Sequence, residues 1–324
     1  MTRFAKFSIA LLAGAMLATP LAGEVKPPPG KGGGNGGGAG EEEPTGPLEL
    51  AYEDYTNRDG EFVTLSSLAL SNRQRAVQPG EIGQNVADAH YVNDALIRLV
   101  TTGYDGPDRP IFVVDVNLDA NGNILTTSTV RISDYSRGCN DLSDDGLKVT
   151  YIDYLEQNVM MADASGGPGS PVYPLPEGER YISCDLLSDG DGSYTLYGTM
   201  FTGRDAEGGS YYRIDRVDLT TQIPETVLPE GLRVARLLAV SPDQNSLAWD
   251  TDDSDLFIID DLAAGSSPRL IGQSGTLSRP DFLCDNEQIF VAYTPRASRS
   301  SAIYTGNGLK TVSKKWLRGA NTIC

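Results

Sequence analysis

The chain has 324 residues and a formal net charge of −18, from 44 acidic and 26 basic side chains. A surface this acidic repels nucleic-acid phosphates and anionic lipid headgroups, which argues against nucleic acids and membrane surfaces as partners. The chain has a single histidine, which excludes a metal site built from several histidines. Its four cysteines lack a Cys-x-x-Cys spacing, so metal-binding thiolates or a free reactive thiol are not expected.

Residues 1–23 have the features of a secretory signal. Two basic residues precede a short apolar run over 7–18, and the small residues Ala22 and Gly23 offer a cleavage site. The apolar run is too short to cross a bilayer core of about 30 Å as a helix. Glu24 stands where a lipoprotein cleavage box needs a cysteine, so lipid anchoring is not expected. We therefore predict an exported protein, periplasmic or secreted, without membrane insertion.

Residues 24–47 are rich in proline and glycine and are predicted to form a disordered linker. Such a composition cannot bury enough apolar surface to offset the entropy lost on ordering. A glycine-rich phosphate cradle is the alternative, but no predicted strand precedes the glycines and no helix follows them. Residues 48–324 remain as one large folded domain.

Most of this domain is predicted to be short strands. Apolar and β-branched runs end at Pro, Gly, Asp or Asn, and several are apolar on both faces, as expected for a strand between two sheets. A weakly helical pattern occurs only over Gly80–Val100. The predicted strands are Ile111–Leu118, Ile124–Thr127, Leu147–Tyr151, Asn158–Met161, Tyr194–Tyr197, Ser246–Trp249, Leu256–Ile259 and Gln288–Tyr293.

One stretch could hold calcium. Asp115, Asn117 and Asp119 alternate along the chain, and closely spaced oxygens of this kind suit calcium. The stretch departs from the usual calcium loop, because Ala120 stands where glycine is expected and no bidentate glutamate follows. The alternative is a β-hairpin that turns at Asn121-Gly122, and we favour it. No other metal or cofactor is predicted.

A sequence signature recurs along the chain and fixes the expected architecture. It begins with a turn at Ser143-Asp144-Asp145-Gly146 and continues as strand, gap, strand and small-residue turn. Weaker copies begin at Ser241-Pro242-Asp243, Ser188 and Cys284. Units of about 46 residues have the size of a four-stranded propeller blade, and backward projection gives six of them. The first unit lacks a leading strand, which the tail over Lys314–Cys324 could supply.

These residues resemble the TolB-type propeller repeat, which opens with Ser-Pro-Asp-Gly and an apolar strand. The motif match covers about residues 130–310, and residues 48–129 follow by spacing. The resemblance implies an all-β, six-bladed β-propeller with four-stranded antiparallel blades over 48–324, with a C-terminal strand closing the ring. TolB itself has an additional N-terminal domain where this chain has its glycine linker, so TolB's partner contacts are not implied.

The four cysteines are expected to form two disulfides, because the protein is predicted to be exported. Cys139 and Cys184 each lie four residues before the start of a repeat, hence at equivalent positions on neighbouring inner strands. Cys284 falls on the inner strand of the last unit, and Cys324 on that of the first if the tail closes the ring. The predicted pairs are therefore Cys139–Cys184 and Cys284–Cys324.

No catalytic residues are predicted. His90 is the only residue that could serve a Ser-His-Asp triad, and there is no Gly-x-Ser-x-Gly elbow. We expect His90 to be a fully hydrogen-bonded residue on an inner strand or lining the channel. We expect a monomeric, non-enzymatic scaffold that binds a protein, peptide or glycan. The alternative is a carboxylate-based hydrolase or lyase acting on an extracellular polymer, which a cluster of acids with an aromatic at one mouth of the channel would favour.

Overall fold

A computed structural model describes residues 50–54, 67–70, 85–102, 109–153, 155, 157–204, 206, 209–230, 237–251, 255–273, 279–282, 289–293, 300–305, 308–313 and 321–322. The predicted signal over 1–23 and the predicted linker over 24–47 lie outside these residues, as do Cys284 and Cys324. Every regular element within the described ranges is a β-strand, and the strands form antiparallel sheets.

Five of the sheets have four strands each, in which consecutive strands are neighbours. The first is β3 (Asn85–Asn93), β4 (Leu96–Thr102), β5 (Ile111–Leu118) and β6 (Ile124–Ser133). The second is β7 (Asp141–Leu142), β8 (Lys148–Asp153), β9 (Asn158–Asp163) and β10 (Ser170–Pro174). The third is β11 (Arg180–Ser188), β12 (Tyr194–Arg204), β13 (Ser210–Asp218) and β14 (Ile223–Leu228).

The fourth sheet is β15 (Leu238–Val240), β16 (Leu247–Asp250), β17 (Asp255–Ile259) and β18 (Arg269–Gln273). The fifth is β19 (Arg279–Phe282), β20 (Ile289–Tyr293), β21 (Ser300–Thr305) and β22 (Gly308–Ser313). A further sheet has three described strands, in the order β2 (Ser67–Leu70), β1 (Leu50–Asp54) and β23 (Asn321–Thr322).

The first strands of the four-stranded sheets contact one another in succession. β3 contacts β7, β7 contacts β11, β11 contacts β15, and β15 contacts β19. The C-terminal strand β23 contacts both β19 and β3, and it pairs with β1 with Leu50 opposite Thr322. Four-stranded antiparallel blades arranged in a ring by their first strands form a β-propeller. The predicted pairing of the C-terminal tail with the first strand is confirmed.

The core lies in the gaps between neighbouring sheets, which explains why so many strands are apolar on both faces. Val100 and Val113 of the first four-stranded sheet cluster with Leu142 and Val149 of the second. A sheet covered on both sides by other sheets must bury both of its faces. The expectation of a strand that is apolar on both faces at Ile111–Val114 is confirmed, because three of its four residues are buried and Phe112 is half-buried.

The repeated signature is the turn between the first two strands of a blade. Ser143 donates its hydroxyl to Asp145 Oδ1 (2.5 Å) and accepts the backbone N–H of Lys148 (2.9 Å). Ser241 forms the same pair of bonds, with Asp243 as its acceptor (2.6 Å). Both serines are completely buried. The hydroxyl and the carboxylate satisfy turn amides, so the signature marks the fold and is not itself a functional site.

The weakly helical pattern over Gly80–Val100 is wrong as a prediction of helix. Residues 80–84 lie outside the described ranges, and the rest form β3 and β4, joined by a turn at Asp94-Ala95. Asn93 Oδ1 accepts the N–H of Ala95 (2.9 Å), which stabilises this turn. The continuous burial of β4 between two sheets outweighs the local helical pattern, because tertiary packing overrides a weak propensity. The other predicted strands coincide with observed strands to within about one residue at their starts.

Candidate functional site

Carboxylates on the first strands join neighbouring blades. Three times in succession, an aspartate on the first strand of one blade accepts a backbone N–H from the first strand of the next blade. The donor is the residue directly after the position that is equivalent to that aspartate. The bonds run from Leu142 N–H to Asp88 Oδ2 (3.2 Å), from Leu186 N–H to Asp141 Oδ2 (2.6 Å) and from Val240 N–H to Asp185 Oδ2 (2.6 Å). First strands of neighbouring blades are not paired in one sheet, so these bonds satisfy backbone donors that face the preceding blade.

The series is interrupted at the next blade. Ala239 precedes Val240 on β15 and therefore holds the position that aspartate holds on β3, β7 and β11. Asp281 on β19 faces the same central space. The centre of the ring is thus carboxylate-rich on several sides and apolar along β15.

This space is a cavity of about 260 Å³ between the first strands. Its wall includes Asp88, His90, Asp144, Asp185, Asp281 and Phe282. Pockets for drug-sized ligands generally occupy about 300–1,000 Å³, so this cavity suits a single side-chain-sized group.

His90 lies on β3 and lines the cavity, as the sequence predicted, but it is not fully hydrogen-bonded as expected. Its Nε2 atom lies 2.9 Å from Asp88 Oδ2, and its buried Nδ1 atom has no hydrogen-bond partner. Burial alone would lower the pKa of His90, but the nearby carboxylates of Asp88, Asp281 and Asp144 outweigh it and raise the pKa to about 9. His90 is therefore an imidazolium at neutral pH.

Asp185 is the second group in the cavity that holds a proton near neutral pH. Burial raises the pKa of Asp185 to about 8, the neighbouring charges of Asp88 and Asp281 add to the rise, and the N–H of Val240 opposes it. Burial also raises the pKa of Asp144, against the N–H of Ser188, which donates to its Oδ1 at 2.7 Å. The cavity therefore keeps protons that the same groups would release in water.

A disulfide between Cys139 and Cys184 forms part of the cavity wall. It joins the predicted pair, with the two Cα atoms 4.7 Å apart. Their register differs from the prediction, because the inter-blade hydrogen bonds align Asp141 with Asp185 and so place Cys184 level with Asn140. Cys139 lies before β7, with a positive φ of 55°. The predicted register came from counting residues back from each repeat turn. It is wrong by one residue because β11 extends further before its turn than β7 does.

The residues of the possible calcium stretch lie in the predicted hairpin, which joins β5 to β6. Asp115 binds Arg98 through both oxygens (2.6 and 2.9 Å), and Asp119 Oδ1 accepts the N–H groups of Asn121 and Asn123 (2.8 Å each). Hydrogen bonds from Asn123 and Asn121 lower the pKa of Asp119. Within the described ranges no three His, Cys, Asp or Glu side chains form a group that could hold a metal.

Sequence reasoning missed the aspartates of the central cavity. Their signal is an aspartate followed by an apolar residue just before a repeat turn. It occurs as Asp141-Leu142 before Ser143, Asp185-Leu186 before Ser188 and Asp281-Phe282 before Cys284. Among so many acidic residues the pattern becomes specific only when the first strands are known to face one axis.

Stability is expected to fall as the pH rises from about 5 to 9. Asp185 holds its proton up to about pH 8 instead of an ordinary 3.8, and His90 up to about pH 9 instead of 6.5. In this interval the native state binds more protons than the unfolded state, so the free energy of unfolding decreases with pH. We expect thermal unfolding by circular dichroism to show a melting temperature at least about 3 °C lower at the alkaline end.

The Asp185→Asn variant provides the control for this pH dependence. Its side chain is neutral at every pH, so the part of the decline that Asp185 causes should disappear below about pH 8. Carboxylates whose pKa is lowered, such as those of Asp119 and Asp243, lose their contribution to stability only in stronger acid. They therefore do not oppose the decline of stability with rising pH. A melting temperature that rises across the interval would contradict the protonation states assigned to the cavity.

Neither a family model nor a curated protein matches the chain. Solved structures do match in fold. TolB from Acinetobacter baumannii superposes with a TM-score of 0.57 and 14% identity, over 85% of this chain and 66% of that chain. The nidogen/laminin complex gives a TM-score of 0.55 with 11% identity, over 85% of this chain and 98% of that chain. A putative TolB from Agrobacterium tumefaciens gives 0.52 with 12% identity, over 83% and 89%.

The ring of blades with its central cavity defines a β-propeller. Its fold is similar to that of the two TolB structures, in agreement with the resemblance of the repeat. The chain spans slightly less than two thirds of the Acinetobacter protein, and at these identities the likeness extends to the fold alone. Within the described residues no helix is long and apolar enough to cross a membrane.

Proposed function

We propose that this protein is an exported, monomeric, non-enzymatic propeller that binds a protein or peptide partner at its central cavity. Its signal would occupy residues 1–23, its linker 24–47 and its propeller 48–324. A disulfide in the cavity wall fits an oxidising, extracytoplasmic compartment.

We further propose that the propeller has six blades, with β23 as the first strand of the blade that also contains β1 and β2. The contacts of β23 with β19 on one side and β3 on the other support this closure. The pairing of Cys284 with Cys324 stays a prediction. Mass mapping of the non-reduced chain tests it, because a peptide joining Cys139 to Cys324 would contradict it.

The observation that carries the binding function is the concentration of carboxylates around one central cavity. Aspartates from β3, β7, β11 and β19 line it, together with Asp144, which follows β7. An acidic concavity with low-dielectric walls attracts a basic segment of a partner and orients its approach. A protein partner is also in keeping with the nidogen/laminin structure, whose name describes a complex of two proteins.

Affinity capture with matched baits tests this function. The oxidised chain would be incubated with envelope and secreted fractions, beside an Asp185→Asn/Asp281→Asn bait and an Asp191→Asn control in an exposed turn. We expect a protein that the chain and the control retain, and that the cavity variant retains at least about tenfold less. Equal recovery by all three baits, or no specific recovery, would refute the proposal.

One observation favours the enzymatic alternative, a hydrolase or lyase acting on an extracellular polymer. The cavity contains a carboxyl group that stays protonated near neutral pH, Asp185, beside other acids and the aromatic Phe282. A general acid needs a raised pKa of this kind. Turnover of a polysaccharide panel that disappears in Asp185→Asn would establish this alternative. The small volume of the cavity counts against it, because a polymer chain needs an open cleft.

A further inference from the structure

The central cavity contains more acidic groups than basic ones. Five aspartates line it, four from the first strands β3, β7, β11 and β19 and one from the turn after β7, and among the described residues of the wall only His90 and Arg109 are basic. The acidic groups are Asp88, Asp141, Asp144, Asp185 and Asp281. Carboxylates crowded in a poorly solvated space are stabilised by protons or by a cation, because uncompensated buried charge is costly.

His90 already supplies part of this positive charge from within the chain. Its ring is mostly buried, with 18% of the side chain exposed, and it bonds to Asp88 through Nε2 alone. The Nδ1 atom is fully enclosed and has no partner. In an imidazolium both ring nitrogens are donors, so the hydrogen bond to Asp88 is the one that holds this ring to the carboxylates.

The opposite part of the wall is apolar. β15 presents Leu238, Ala239 and Val240, and Pro242 follows. Ala239 stands where the neighbouring blades have aspartate, so this wall has no carboxylate. A cavity that is acidic on one side and apolar on the other matches a side chain with an aliphatic stem and a charged head.

The shape and the chemistry favour lysine among such side chains. A volume of about 260 Å³ has room for one side chain and not for an extended chain of sugars or residues. The carboxylates come from separate strands around the axis. A compact ammonium with three donors suits such a set, whereas the guanidinium of arginine prefers one bidentate carboxylate.

We propose that the cavity accepts one lysine side chain of the partner, with its ammonium among Asp88, Asp185 and Asp281 and its stem against β15, and that His90 competes with it for the same carboxylates. This inference rests on the proposed binding function and specifies the group that is recognised. It makes the affinity depend on pH. Entry of the ammonium favours release of protons from His90 and Asp185, so binding tightens as the pH rises, until lysine itself loses its charge near pH 10.4.

The single histidine of the chain makes this competition directly measurable. NMR titration of the imidazole signals gives the pKa of His90 without interference from other histidines. The probe is Nα-acetyl-lysine amide, added to the full oxidised chain at low salt, with Nα-acetyl-norleucine amide as the uncharged comparison. We expect the lysine probe to lower the pKa of His90 by at least about 0.5. Its affinity should be about tenfold higher at about pH 8.5 than at about pH 6.5.

Two variants complete the experiment. Asp185→Asn/Asp281→Asn should lose the response to the lysine probe, whereas Asp191→Asn in the exposed turn should keep it, with thermal unfolding showing that both are folded. No response, a response that is independent of pH, or an equal response to norleucine would overturn the inference. If affinity capture still recovers a partner through the cavity, the binding function stands and lysine recognition alone falls. If capture also fails, both fall.

Discussion

Replacing Trp249 by alanine is expected to lower the free energy of unfolding by about 3–5 kcal/mol. The indole lies on β16 with 2% of its surface exposed, and its ring stacks on Phe257 with centroids 5.6 Å apart. It belongs to a cluster that also contains Leu187 and Tyr197 of the third four-stranded sheet. Truncation therefore leaves a cavity between two blades, and their rigid sheets can close it only in part.

Urea denaturation followed by far-ultraviolet circular dichroism measures this loss. Trp249→Phe keeps the ring contact with Phe257 and should cost less than the alanine variant. Ile223→Ala on β14 is the control, because 67% of Ile223 is exposed and its loss should change stability by less than about 0.5 kcal/mol. A loss below about 1 kcal/mol for Trp249→Ala would mean that this gap contributes little to holding the blades together.

Much of the fold could be predicted from the sequence, because each blade repeats the same local chemistry. In the second and fourth four-stranded sheets, the buried serine of the turn and its aspartate partner fix the start of the second strand. Runs that are apolar on both faces, such as Ile111–Val114, follow from the packing of each sheet between two others. The additional strand of the sheet that contains β1 and β2 could be inferred by counting repeat units, and Thr322 does pair with Leu50.

The central site could not be predicted in the same way. It consists of residues far apart in the chain that meet only because the first strands share one axis, and an aspartate before an apolar residue is too weak a signal in so acidic a chain to single out Asp185. The register between the first strands of neighbouring blades could not be predicted either, because it depends on how far each strand extends before its turn. The additional residues at the end of β11 shift Cys184 by one position relative to Cys139. Local propensity was likewise misleading over Gly80–Val100, where burial between sheets decides the structure.

Replacing Arg213 by methionine is expected to cost about 3–5 kcal/mol, because it leaves a buried carboxylate without its cation. Arg213 on β13 binds Asp215 Oδ2 through Nε (2.7 Å) and Glu179 through Nη2 (2.8 Å). Asp215 is only 1% exposed, and its second oxygen accepts the hydroxyl of Thr226 (3.0 Å). Methionine keeps most of the aliphatic packing, so the measured loss reports on the charge and its hydrogen bonds rather than on volume.

The chain offers a matched control for this substitution. Arg269 binds the carboxylate of Asp260 through two of its nitrogens. These side chains are exposed, Arg269 by 47% and Asp260 by 55%. Arg269→Met should therefore cost less than about 1 kcal/mol, since water solvates the remaining charge. The double variant Arg213→Met/Asp215→Leu should recover at least half of the loss, because it removes the stranded charge together with its partner. If the double variant is no more stable than Arg213→Met, the loss comes from disrupted packing of the third sheet, and the buried charge is not its cause.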